Sequence, residues 1–141
     1  LYEDFVFPDD FANMKPDSSI EWFGGLQTNI ENKYLDKFGA LADLLADKGY
    51  IDNTPNEKRL FIYRFTGRWR PEGRLKKIGW HKGQNVLFAL VRKFIDTDGQ
   101  TIIERGGRFL DGVDFSKRAV SKEKLSDTMQ KLLNKIFPGV F

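Results

Sequence analysis

The sequence predicts an α+β fold: one compact, mostly helical domain over residues 1–141 with a small antiparallel sheet or hairpin. Three observations lead there. Apolar residues recur at helical spacing in three separate stretches, aromatic and aliphatic residues alternate over 60–65, and Pro71-Glu72-Gly73 sits between two short basic runs. A second arrangement, two pseudo-repeated helical modules, comes from Ile20-Glu21-Trp22 and Ile78-Gly79-Trp80, each of which precedes a Leu-rich amphipathic segment.

Taken in order, Phe5, Phe7 and Phe11 are expected to pack onto the body, and Pro16-Asp17-Ser18-Ser19 breaks the chain. Ile20, Trp22 and Phe23, closed by Gly24-Gly25, read as a short extended piece. Thr28-x-x-Glu31 has capping-box spacing, so a helix is expected to begin near Thr28. It carries Leu35, Phe38, Leu41, Ala42 and Leu45 inward and ends at Gly49 in the left-handed conformation. Residues 60–65 read as a strand, and residues 68–78, with their central turn, as a basic hairpin or long loop tip. Helices follow over 84–95 and 101–109, the second in spite of Gly106-Gly107. The last helix is capped by Ser121, buries Leu125, Met129, Leu132, Leu133 and Ile136, and is stopped by Pro138.

Composition narrows the function classes. At 40% hydrophobic and 14% aromatic the chain can bury a core, and no apolar run approaches the roughly 18 residues that would cross a bilayer. No membrane partner is expected. With no cysteine and His81 as the one histidine, thiolate and multi-histidine metal sites and Cys-His catalysis are excluded, and no cofactor or enzymatic activity is expected. The lack of cysteine fits a reducing cytoplasm. Leu1 in place of an initiator Met is what a trimmed or processed chain shows. Asp98-Gly99 suggests a calcium loop, but the twelfth ligand position would fall on Arg105, so a turn explains it better. The glycines at 67, 73, 79 and 83 are too widely spaced for a phosphate loop.

Charge is the strongest signal. The formal net charge of +3 conceals an acidic part, 1–57, at −8 and a basic part, 58–141, at +11. Residues 58–93 hold eleven basic side chains against one acid, Glu72, with Phe61, Tyr63, Phe65, Trp69 and Trp80 threaded among those of 58–83. Two readings stand side by side. The run is either a solvated strand and loop offset by the acidic first helix, or a surface that tracks a nucleic-acid backbone. On the second, the binding residues are Arg64, Arg68, Trp69, Arg70, Arg74, Lys76, Lys77, His81 and Lys82. Trp69 is then either a core anchor or a platform on which a base stacks. Lys122, Lys124, Lys131 and Lys135 give the last helix a basic face that serves solubility or extends the same surface. An acidic protein partner is the alternative ligand for the basic surface.

Over about 65 residues the carboxy-terminal spacings Ile78-x-Trp80, Leu87-x-x-Leu90, Gly107-x-Phe109-Leu110-Asp111-Gly112, Val120-Ser121 through Leu125, and Leu132-Leu133 resemble the layout of RteC-type and related small mobile-element proteins of the Bacteroidetes. The resemblance implies winged-helix DNA binding, with DNA preferred over RNA, and a regulatory part in the excision of a mobile element.

Overall fold

The computed structural model describes residues 5–17, 22–23, 30–95, 100–113 and 125–141. A 3-10 turn, Phe11–Asn13, precedes α1 (Asn32–Leu35), α2 (Phe38–Asp47), α3 (Pro55–Thr66), β1 (Ile78–Gly79), α4 (Asn85–Phe94), α5 (Gln100–Phe109), β2 (Leu110–Asp111) and α6 (Asp127–Ile136). The fold is mostly helical, with a small two-stranded sheet.

The central element is α3, and it corrects the expected strand at 60–65. Local chemistry brackets it as a helix. Thr54 Oγ1 accepts the Glu57 amide at 3.2 Å, Pro55 occupies the first turn, and Gly67 ends the helix at φ +71° with its amide on the Tyr63 carbonyl. Leu60 to Thr66 are all buried. A helix covered on every side shows no amphipathic period, so the alternation of aromatic and aliphatic residues there carries no strand information.

Of the basic hairpin or long loop tip expected over 68–78 the structure shows the loop, and the small sheet is parallel where an antiparallel one was expected. β1 pairs with β2 in parallel, Ile78 opposite Leu110 and Gly79 opposite Asp111, and the connection runs through α4 and α5. Parallel strands need such a long crossover, whereas a hairpin joins antiparallel ones. Trp80 continues the contact by donating its amide to the Asp111 carbonyl at 3.0 Å. Residues 68–77 form an irregular loop around Gly73, which has φ +81°.

One apolar cluster joins Phe11, Phe23 and Leu41 to Phe61, Ile78, Leu87 and Leu133. α2 packs on α3, and α6 packs on α2. Phe38, Phe94 and Phe137 meet where α2, α4 and the end of α6 converge. As expected, Phe5, Phe7 and Phe11 lie against the body, and Phe7 sits in the notch left by Gly39. The first long helix is two pieces, α1 and α2, parted at Asp36-Lys37 where the Lys37 amide bonds the Tyr34 carbonyl. Its ending at Gly49, φ +81°, is as expected. The last helix starts later than expected, at Ser126, whose Oγ accepts the Met129 amide at 3.2 Å. Thr28, Ser121, Lys122, Lys124, Asp96 and Asp98 lie outside the described residues. Among the described residues no helix is long and apolar enough to cross a membrane.

Candidate nucleic-acid interface

The basic stretch divides into side chains that build the loop and side chains that the loop displays. Two arginines of α3 do the building. Arg59 donates from Nε to the Trp69 carbonyl at 3.1 Å and from Nη2 to the Arg70 carbonyl at 2.6 Å, and its guanidinium lies 4.7 Å from the Trp69 ring centroid. Arg64 donates from Nε and Nη2 to the Lys76 carbonyl at 3.3 and 2.7 Å and lies 4.9 Å from the centre of the Phe109 ring. The loop therefore hangs from α3 at both ends. Its carbonyls at 69, 70 and 76 take guanidinium donors instead of cross-strand amides, which is why the turn at 71–73 closes no hairpin.

Of the nine residues expected to bind, Arg64 is 6% exposed, and burial holds its pKa below the usual arginine value. Arg68 is half-buried. It donates to the Met14 and Thr66 carbonyls at 2.9 Å each, and burial lowers its pKa too. These two tie the amino-terminal segment and the loop to α3. Trp69 is half-buried at φ +64°, in the left-handed region a tryptophan seldom adopts, and it packs against Phe5 and Phe7 at ring distances of 5.8 and 6.0 Å. Arg59, absent from the expected set, holds it there, reaching the loop from the helix over Pro55–Thr66, where a strand was expected at 60–65.

Arg70, Arg74, Lys76, Lys77, His81 and Lys82 are exposed. Three of these six have contacts that temper their charge. Lys77 Nζ is 3.9 Å from Asp111, His81 Nε2 is 2.9 Å from Asp52, and Lys82 Nζ stands 5.6 Å from the Tyr50 ring centroid. Lys58 meets Asp43 of α2 at 2.8 Å, so part of the acidic half does face the basic half. A groove of about 180 Å³ between the start of α3 and the loop has Arg74 and Lys76 on its lining together with Glu57 and Glu72. The Glu57 carboxylate also accepts the Gly79 amide at 3.0 Å and thereby fixes β1 to α3. Lys131 and Lys135 are exposed on α6. Among the described residues no group of three or more histidine or carboxylate side chains is placed to hold a metal ion.

No protein-family model, curated protein or solved structure matches the chain.

Proposed function

We propose that the loop over residues 70–82 is the nucleic-acid-binding surface of an accessory or regulatory protein, with DNA preferred over RNA. The observation that carries the proposal is the division of labour. Arg59 and Arg64 fix the loop backbone, and Arg70, Arg74, Lys76 and Lys77 extend from it into solvent. Cations on a fixed backbone lose less conformational freedom on meeting phosphates than cations on a free one, so the props favour binding. Each phosphate contact releases counterions, and Arg70, Arg74 and Lys76, with Lys77 partly offset by Asp111, supply a salt-dependent affinity that needs no base contact. The resemblance of the carboxy-terminal spacings to the layout of RteC-type proteins is the ground for proposing a place in the regulation of a mobile element.

Fluorescence anisotropy with labelled duplex and single-stranded oligonucleotides at about 50 mM salt tests the reading, because electrostatic binding is strongest there. Binding that fades as salt is raised is the expected result. No binding to either form rejects the proposal. The acidic protein partner then remains, and it would meet the exposed Arg70, Arg74 and Lys76.

A further inference from the structure

We infer that this surface, if it binds nucleic acid as proposed above, takes the phosphate backbone of a duplex and stacks on no base. The basic stretch places five aromatic residues among its cations, and the fold buries four of them and packs the fifth, Trp69, against other side chains. Phe61, Tyr63 and Phe65 are fully buried in α3. Trp80 is 2% exposed and donates its indole N–H to the Gly83 carbonyl at 3.1 Å. Trp69 alone lies near the surface, and its ring is engaged by the Arg59 guanidinium at 4.7 Å and by Phe5 and Phe7.

Freeing the Trp69 ring for a base means undoing a coupled set of contacts. The residue is held at φ +64°, its carbonyl accepts from Arg59 Nε, and the next carbonyl accepts from Arg59 Nη2. Turning the indole outward would strip Arg59 of its aromatic contact and uncover Phe5 and Phe7. Among the described residues the one exposed large hydrophobic side chain is Val6, and Tyr50, half-buried beside the loop, is packed on Trp80 at a ring distance of 5.4 Å with Lys82 Nζ 5.6 Å from its ring centroid. Proteins that hold single strands combine a positive groove with aromatic stacking, and a surface with the first and not the second loses the larger source of single-strand affinity. What remains is attraction to phosphate, which is densest along a duplex, where both strands contribute charge.

The placement of the tryptophans supplies the readout. Trp22, 1% exposed, and Trp80 are enclosed, so quenching of tryptophan emission by a stacked base reports on Trp69. The intact chain is titrated with two duplexes of unrelated sequence and with a single strand of the same length, about 20 nucleotides, at about 50 mM salt. Anisotropy follows binding, and tryptophan emission is read in parallel. The expected result is equal affinity for the two duplexes within about twofold, a single strand weaker by about tenfold, and unchanged emission. A single strand bound as tightly as a duplex, quenching by either form, or about tenfold discrimination between the duplexes overturns the inference while the nucleic-acid reading survives. Binding of neither form removes that reading, and this inference falls with it.

Discussion

Arg64 and Arg74 bear the same charge in the sequence and have opposite fates in the fold. Arg64 is enclosed, with both donors on the Lys76 carbonyl, whereas Arg74 is exposed on the loop. Arg64→Ala leaves that carbonyl short of its donors and opens space beside Phe109, so it should lower unfolding free energy by about 2–4 kcal/mol. Arg74→Ala should change it by less than about 0.5 kcal/mol. Urea denaturation of the two variants beside the parent reads the contrast, and equal losses would show that Arg64 is no strut. Tyr63 supplies a pH test. Burial, and then its 2.9 Å hydrogen bond to Asp17, push its phenol up to about 12 from an ordinary value of 10.0. Over that window the unfolded chain has given up the proton and the folded one keeps it, so the folded state binds more protons and stability falls as pH rises. Stability should therefore be intact below pH 10 and decline toward pH 12. Tyr63→Phe, compared with the parent across the same range, should show a shallower decline; parallel curves would refute the assignment.

At the scale of elements, the decisive signals are the brackets around a segment and not the pattern inside it. Thr54-Pro55-x-Glu57 and Gly67 mark α3 as a helix, yet the alternation over 60–65 points to a strand, because the part of the helix from Leu60 to Thr66 is buried on every side and shows no period of its own. Thr54→Ala should cost about 1 kcal/mol through the lost cap, measurable by the same denaturation. The parallel pairing of β1 and β2 was not legible, since it joins two-residue strands across two helices, and such short segments carry no register in their side chains. Gly112 marks the junction more clearly. It has φ +85°, and a Cβ there would stand 2.3 Å from the Trp80 carbonyl oxygen. Gly112→Ala should cost about 2 kcal/mol or more, as strain and displaced pairing add together, and a variant as stable as the parent would contradict the close approach. The helices around 84–95 and the carboxy end were readable because each has one wet face and one dry one, as α4 shows with Val86, Leu87, Leu90 and Val91 buried and Lys93 exposed.

For the whole molecule, the split between an acidic and a basic half is partly resolved inside the fold. Asp43, Asp52 and Asp111 stand against Lys58, His81 and Lys77, and the cations of the loop between 70 and 76 remain turned outward. The region of the candidate site was therefore legible from charge alone, but its membership was not. Counting charges cannot tell a guanidinium that holds a carbonyl from one that awaits a phosphate, and that difference removes Arg64 and Arg68 from the displayed set and adds Arg59 to the scaffold. The most direct test of the account is the salt dependence of duplex binding for the intact protein and for the Arg70→Ala/Arg74→Ala double variant. If both side chains meet phosphates, the slope of log affinity against log salt should flatten by about 1.4–1.8, and affinity for unrelated duplexes should drop alike. Thermal stability should stay unchanged, because exposed charges contribute little to folding. A slope identical to that of the intact protein would contradict the claim that the propped loop is where the chain meets nucleic acid.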